Sequence, residues 1–149
     1  WAHFEYGGLP ARHPGKAGAF IGFDNGKAHR VYAGSDFFLM PSRYEPCGLG
    51  QMSAMRYGSL PIVRSTGGLK DTVDNYDETT GGGTGFRFND LTAPAIANSV
   101  GWATATWYDR PEHIATLRDR AMRVRFDWGM AAKQHADAYR WAIERRRGG

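Results

Sequence analysis

The chain has 149 residues, of which 42% are hydrophobic and 23% are charged, the composition of an ordinary globular domain with its own core. Its formal net charge is +4. Three of those charges come from Arg145, Arg146 and Arg147. The rest of the chain is therefore close to neutral and lacks the basic face of a nucleic-acid-binding protein. The single cysteine, Cys47, excludes an internal disulfide and a cysteine-rich zinc site. No apolar run reaches the length of a membrane helix, and no signal-peptide pattern is visible.

The first half of the chain predicts strands that alternate with short helices. Residues 1–16 form a poorly defined start, and the apolar run Ala17–Phe23 predicts a strand that ends at an Asp-Asn-Gly turn. The next elements are a helix over 27–34 and a strand buried on both faces over 36–41. A helix from near Gly48 to Gly58 follows, with Leu49, Met52 and Met55 on one side. After it come a buried strand over 60–64, a short helix over 67–73 and a strand over 85–88. This alternation indicates an α/β fold with a Rossmann-like parallel sheet.

The second half predicts a mobile surface loop over 78–85 and a helical C-terminal extension over 91–147, within one domain of residues 1–149. The inner faces of three helices are predicted to be Ile96, Val100, Ala103 and Trp107; Ile114, Leu117, Ala121 and Val124; and Trp128, Ala131, His135, Tyr139 and Ala142. Asp127 is expected to cap the third helix. His135 is expected in the core and His113 on the surface. Trp102, Trp107, Trp128 and Trp141 fit core or interdomain packing better than a glucan-binding stripe.

The stretch "PSRYEPCGLGQM" (Pro41 to Met52) carries the chemistry, because it follows a predicted strand and ligands bind beyond the carboxyl ends of parallel strands. Gly48 and Gly50 let the backbone approach a ligand closely, and a helix start offers N–H groups that suit a phosphate. The Glu45 carboxylate just upstream would accept hydrogen bonds from hydroxyl groups. Phosphate-binding amides beside a hydroxyl-binding carboxylate fit a sugar nucleotide, although the pattern by itself is weak.

The run "AHRVYAGSDFFLMPSRYEPCGLGQMSAMRYGSLPIVRSTGGLKDTV", with the later "FDW", closely resembles the C-terminal domain of bacterial glycogen synthases and plant starch synthases. These are retaining GT-B glycosyltransferases that use a nucleoside diphosphate glucose, which is ADP-glucose in bacteria. The resemblance implies that Glu45 contacts the donor glucose and stabilises charge at its anomeric carbon, as the catalytic residue. It places the donor-binding residues at Phe23 (nucleobase), at Cys47, Gly48, Leu49 and Gly50 (sugar and diphosphate), and at Thr66, Gly67 and Gly68 (cleft border).

Two departures from the wider GT-B pattern stand in this stretch. Ser53 occupies the position where many related enzymes have a second glutamate for the ribose, and Gly50 stands where many members have Thr. The cations that clamp the diphosphate in the family precede the matched segment. Arg43 and Arg64 could replace them only in part, and structural or surface roles suit both better.

The resemblance therefore implies a partial GT-B domain that lacks its first strands, with a missing N-terminal domain as its partner. ADP-glucose and an α-1,4-glucan are the implied donor and acceptor, without a cofactor, a metal or a nucleic acid. The expected compartment is the bacterial cytoplasm, or the plastid if the protein is plant-like. Two alternatives stay open: a GT-B enzyme with another acceptor, of the sucrose or trehalose type, and a non-catalytic module that binds a nucleotide sugar or a glucan.

Overall fold

A computed structural model describes residues 2–147 of the chain. Its elements are α1 (Ala2–Gly7), α2 (Leu9–Arg12), α3 (Asn25–Gly34), β1 (Phe37–Met40), α4 (Gly50–Arg56), β2 (Leu60–Arg64), α5 (Gly67–Thr72), β3 (Phe86–Phe88), α6 (Ala93–Asp109), α7 (Pro111–Arg123) and α8 (Trp128–Arg147). They fall into two compact units, one up to Val31 and the other from Tyr32 onward. The poorly defined start of the sequence prediction contains α1 and α2.

The three strands form a parallel sheet in the order β1-β2-β3. Phe37 lies opposite Leu60, and Ile62 lies opposite Phe86. Short helices connect β1 to β2 and follow β2, as parallel pairing requires. The predicted α/β fold with a Rossmann-like parallel sheet is confirmed.

The core lies around the central strand β2, whose first four residues are buried. The largest fully buried side chains include Met55, Leu69, Phe86 and Leu117. On α7, Ile114, Leu117 and Ala121 are buried, and on α6, Ala103 is buried while Trp102 and Trp107 pack against the core. The helical periodicity of these two segments therefore predicted their inner faces correctly.

Two strand predictions are wrong in whole or in part. Residues 17–23 form no strand, because nothing in the described chain pairs with them, and Phe20 and Phe23 are exposed. The strand β1 forms, but it is not buried on both faces, since Leu39 is exposed and the other three residues are half-buried. β1 is an edge strand, so one side and part of a face lack a covering element.

The inward faces of two helices also differ from the sequence prediction. α4 buries Gln51, Ala54 and Met55, while Leu49, which immediately precedes the helix, is exposed. α8 begins after Asp127, whose side chain accepts a hydrogen bond from the Gly129 N–H as expected of a cap. Its predicted inner face is wrong, because none of the described side chains on this helix is buried. The exposed residues include Trp128, His135, Tyr139 and Trp141.

The predicted loop after α5 is confirmed, hydrogen bonds join parts of its backbone, and its mobility stays a prediction. The Asp77 N–H donates to the Gly82 carbonyl, the Gly81 N–H donates to the Asp77 carbonyl, and Thr84 is buried. His113 is half-buried rather than a surface residue, because its Nδ1 lies 2.7 Å from the Tyr76 hydroxyl. A hydrogen bond to Tyr76 raises the pKa of Arg110, whose guanidinium donates to the Glu78 carbonyl. These contacts fix the loop to α6 and α7.

The Asp77 carboxylate organises this loop and makes stability depend on pH. It accepts hydrogen bonds from the Thr80 hydroxyl and the Thr79 N–H, and these bonds lower the pKa of Asp77 below its ordinary value of 3.8. A carboxyl whose pKa is lower in the folded state stabilises the fold above the unfolded-state pKa. This stabilisation is lost as the pH falls through the folded-state pKa.

We therefore expect Asp77→Asn to unfold at a lower temperature than the unsubstituted protein at pH 7. The difference should shrink as the pH falls from about 3.8 through the lower pKa of the folded state, since the carboxyl is protonated first in the unfolded chain and then in the native protein. Thermal unfolding followed by circular dichroism across this range measures the effect. Asp90→Asn, at an exposed position after β3, is the control and should unfold at the same temperature as the unsubstituted protein at pH 7.

Candidate functional site

The predicted site residues of the second unit lie at the carboxyl edge of the sheet. Residues 41–49 connect the end of β1 to α4, and Ser65 and Thr66 connect the end of β2 to α5. Since β1 and β2 are parallel neighbours, the two connections leave the sheet at the same edge. This edge is where open parallel sheets bind ligands.

The two predicted segments, around Glu45 and around Gly67, are in direct contact. The Gly68 N–H donates a hydrogen bond to the Glu45 carbonyl at 3.0 Å. A Cβ at Gly67 would lie 2.1 Å from the Glu45 carbonyl oxygen, and a Cβ at Gly68 would lie 2.0 Å from that of Cys47. Both glycines are therefore required by close backbone approach, and the structure brings the two segments together as one site.

The Glu45 side chain is half-buried at this edge. Among residues 32–147 of the second unit, none donates a hydrogen bond to its carboxylate or forms an ion pair with it. Within this unit its negative charge is therefore not neutralised, and its oxygens are available to accept hydrogen bonds from a ligand.

The loop after Glu45 also leaves backbone donors available. Within the described part of the chain, no acceptor receives the N–H of Gly48 or Leu49. At the start of α5, the Thr66 side chain accepts no hydrogen bond from the helix, whereas the Thr92 hydroxyl accepts one from the Ala95 N–H at the start of α6. Leu49, before α4, has no polar side chain that could do so. The edge thus combines unpaired N–H groups with a free carboxylate, and Cys47 contributes its backbone carbonyl to the contacts.

Gln51 holds this loop in place and was missed by the sequence analysis. Its Nε2 donates to the carbonyl of Gly48 at 2.7 Å, to that of Cys47 at 3.3 Å and to the hydroxyl of Thr72 at 2.9 Å. The side chain is fully buried. A glutamine beside the glycines was the visible signal, but its partner Thr72 lies on another helix.

The two arginines near the site have different positions. The Arg64 guanidinium donates to the carbonyls of Asn89 and Arg43, at 3.0 and 2.5 Å. It therefore fixes the backbone of the connection after β1, which agrees with the predicted structural role. The Arg43 side chain is exposed.

A groove of about 490 Å³, which the sequence analysis did not predict, begins beside the loop. It is lined by Leu49, Met52, Ser53, Arg56, Ala121, Val124, Arg125, Phe126 and Asp127. Arg56 donates to the Met122 carbonyl at 2.6 Å and so connects α4 to the end of α7. Ser53, at the position of the departure from the wider GT-B pattern, is one of the lining residues.

Phe23 belongs to the first unit and is described by itself. Its ring is 91% exposed, and the segment around it has no regular secondary structure. In the same unit, the ammonium of Lys27, in the first turn of α3, lies 3.7 Å from the centre of the Phe20 ring. The predicted contact of Phe23 with a nucleobase stays a prediction.

Two negative observations concern only the described residues. Residues 2–147 contain no group of three or more His, Cys, Asp or Glu side chains arranged to hold a metal ion. The helices of this part of the chain are all too short or too polar to cross a membrane.

The fold and the loop geometry define an α/β domain with a candidate ligand site at the carboxyl edge of its sheet. A family model for "Glycosyl transferases group 1" matches residues 11–114, which is more than half of the chain. The chain therefore belongs to the glycosyl transferases of group 1.

Curated relatives include glycogen synthase 1 of Geobacter sulfurreducens, 48% identical over 148 residues, and the glycogen synthase of Treponema denticola, 49% identical over 146 residues. The matches cover 99% and 98% of this chain but only 30% of each relative. The chain thus spans less than a third of the length of these relatives. The resemblance to glycogen synthases found in the sequence is confirmed.

Solved structures of glycosyltransferases that synthesise starch and sucrose phosphate are also similar to this chain. The catalytic domain of starch synthase IV from Arabidopsis thaliana, bound to ADP and acarbose, superposes with a TM-score of 0.79 at 34% identity. The match covers 95% of this chain and 30% of that one. A sucrose-phosphate synthase from Thermosynechococcus elongatus has a TM-score of 0.64 at 27% identity, over 96% of this chain and 34% of that one.

Proposed function

We propose that this chain is the donor-binding part of a glucosyltransferase that transfers glucose from ADP-glucose to the non-reducing end of an α-1,4-glucan, with retention of configuration. The observation that carries the proposal is the backbone contact between the Glu45–Gly50 and Thr66–Gly68 segments, which brings the residues predicted to bind the donor together at one edge of the sheet. The high identity to glycogen synthases over almost the whole chain supports the same reading.

In this proposal the site stabilises charge at both ends of the bond that breaks. The leaving group is a nucleoside diphosphate, whose growing negative charge is stabilised by the N–H groups of Gly48 and Leu49. The glucose carbon develops positive charge, which the Glu45 carboxylate stabilises while it accepts hydrogen bonds from sugar hydroxyls. Glu45 acts electrostatically and by positioning the sugar, and it does not attack the sugar carbon.

ADP-glucose is the proposed donor, and a glucan is the proposed acceptor. Support comes from the Arabidopsis starch synthase structure, which holds ADP and acarbose, the latter an oligosaccharide analogue. A sucrose-type acceptor is less favoured, since the match to sucrose-phosphate synthase is weaker in both identity and superposition. We propose that the acceptor surface belongs to a further domain, that the cations for the diphosphate precede the matched segment within the donor-binding domain, and that the enzyme acts in the cytoplasm.

A segment exchange tests the function directly. The 148 matched residues would replace the corresponding segment of Geobacter sulfurreducens glycogen synthase 1, which is 48% identical over this length. We expect the exchanged protein to transfer glucose from ADP-glucose to glycogen, at a rate within about tenfold of the unmodified enzyme.

The controls for this exchange separate the alternatives. The rest of the exchanged protein supplies the acceptor surface, so the exchange tests donor use; a folded exchanged protein that transfers glucose from UDP-glucose in preference to ADP-glucose would contradict the proposed donor. A folded exchanged protein that binds the donor without any transfer would favour a non-catalytic module. Glu45→Gln in the exchanged protein controls for activity from contaminating enzyme.

A further inference from the structure

Gln51 is a polar residue at a fully buried position, where apolar residues usually pack. It is fully buried in the first turn of α4, where an apolar residue would fill the same volume at lower cost. Its Oε1 is buried without a hydrogen-bond partner in the described structure. An unpaired buried acceptor destabilises a fold, so stability alone does not explain a glutamine at this position.

The orientation of the Gln51 amide is fixed by its surroundings. Nε2 points at the carbonyl oxygens of Gly48 and Cys47, which can only accept hydrogen bonds. Turning the amide over would place Oε1 against both carbonyls and would lose these bonds. The side chain therefore acts as a donor to two successive peptide groups of the loop.

Holding these two carbonyls also determines where two N–H groups point. In a trans peptide, the C=O and the N–H of the same unit point in opposite directions. The Cys47 carbonyl shares its peptide unit with the Gly48 N–H, and the Gly48 carbonyl shares its unit with the Leu49 N–H. With both carbonyls bound to the buried Nε2, the two N–H groups point away from Gln51.

Gly48 packs directly on the same amide. Its backbone has a φ of +73°, and a Cβ there would lie 2.4 Å from Gln51 Oε1 and 2.7 Å from Nε2. The glycine thus has both a left-handed backbone and a close contact with the amide. The shape of this turn and the position of Gln51 depend on each other.

Gln51 also connects the loop to α5, which closes a network of hydrogen bonds. Nε2 donates to the Thr72 hydroxyl, which donates in turn to the Gly68 carbonyl at 2.5 Å. The Gly68 N–H in turn donates a hydrogen bond to the Glu45 carbonyl. The network therefore joins both segments of the candidate site. Among the described residues of this network, only Gln51 contacts the Cys47–Gly48 turn through its side chain.

We infer that Gln51 is a positioning residue, which directs the N–H groups of Gly48 and Leu49 at the diphosphate of the donor. The inference rests on the proposed function, because it assigns those N–H groups to a nucleoside diphosphate. Gln51 does not contact the donor, and its effect passes through the peptide groups that it holds.

The test compares Gln51→Met with Ser59→Ala in the full-length protein that carries this sequence. Methionine keeps the length of the side chain and removes both the donor and the unpaired oxygen. Ser59 is also buried and hydrogen-bonded, with its Oγ 2.9 Å from Ser35 Oγ, but it precedes β2 at the opposite edge of the sheet. Thr72→Val, which removes the connection to α5, is a second variant.

The readouts are ADP binding by calorimetry, transfer from ADP-glucose, and thermal unfolding. For Gln51→Met we expect ADP binding about tenfold weaker, a kcat at least tenfold lower and an unchanged KM for glycogen, because misdirected amides lose charge stabilisation in the transition state. Its unfolding temperature should not fall below that of Ser59→Ala. Thr72→Val should change ADP binding in the same direction by a smaller factor.

Three results would overturn the inference. Gln51→Met could bind ADP and transfer glucose as the unsubstituted protein does, or it could lose no more activity than Ser59→Ala at equal stability. In both cases the proposed function would survive, since the unsubstituted protein remains active. An unsubstituted, folded protein that neither binds ADP nor transfers glucose would reject the proposed function and this inference with it.

Discussion

Glu45→Gln in the full-length protein is expected to lower kcat for transfer from ADP-glucose by about 10²- to 10³-fold. The substitution keeps the shape of the side chain and removes the negative charge, which has no ionic or hydrogen-bonded partner among residues 32–147 of the second unit. Charge at the sugar carbon develops only in the transition state, so its loss reduces kcat more than it weakens donor binding. Steady-state kinetics with ADP-glucose and glycogen measures both quantities.

The control for this variant is Glu112→Gln, at an exposed glutamate in the first turn of α7. It removes the same charge from the molecule and should leave kcat and KM within about twofold, as expected for a surface charge outside the site. A Glu45→Gln enzyme that keeps its kcat but binds ADP-glucose poorly would contradict the electrostatic role. It would leave Glu45 as a donor-binding residue only.

Gly68→Ala is expected to lower the free energy of unfolding by about 3 kcal/mol and to abolish ADP binding. The new Cβ would lie 2.0 Å from the Cys47 carbonyl oxygen, and that oxygen is backbone, so it cannot turn aside as a side chain could. The α5 start and the loop after Glu45 would have to separate. Urea unfolding and calorimetry with ADP measure the two effects.

Gly101→Ala is the matched control, because a Cβ at Gly101 meets no atom within 4 Å. Gly101 lies inside α6, where alanine is the better helix former, so this variant should be more stable by about 0.5–1 kcal/mol. Its ADP binding should be unchanged. Equal stability of Gly68→Ala and the unsubstituted protein would show that the two segments do not need their close contact.

The parts of the fold that the sequence predicted correctly are those in which local pattern and burial agree. Ile114, Leu117 and Ala121 recur at helical spacing, and they are buried. The apolar run of β2 is the central strand of the sheet, where both faces are covered. In these segments, the spacing of apolar residues in the sequence correctly indicates which side chains are buried.

The predictions that failed depend on partners that local sequence does not contain. Ala17–Phe23 has the composition of a strand, but a strand exists only where another strand pairs with it. The apolar face of α8 has helical spacing, yet Trp128 and Tyr139 are exposed in the described chain. Periodicity predicts which side of an element is apolar, and it does not predict what covers that side.

The candidate site was predicted from the end of a strand, its glycines and the family resemblance. What the sequence could not provide was the contact that assembles it. Gly68 lies against Cys47 although the two are far apart in sequence, and the buried position of Gln51 depends on Thr72. A glutamine in a helix is usually a surface residue, so only the fold identifies this one as part of the site.

The most direct test of a donor site at this edge is NMR chemical-shift mapping of the chain with ADP-glucose, with ADP and UDP-glucose for comparison. We expect the largest shifts at the amides of Glu45–Gly50 and Thr66–Gly68, a stronger response to ADP-glucose than to UDP-glucose, and a weaker one in Glu45→Ala. A folded sample that shows no shifts at these amides at millimolar ligand, or shifts only in the groove around Phe126, would contradict the account.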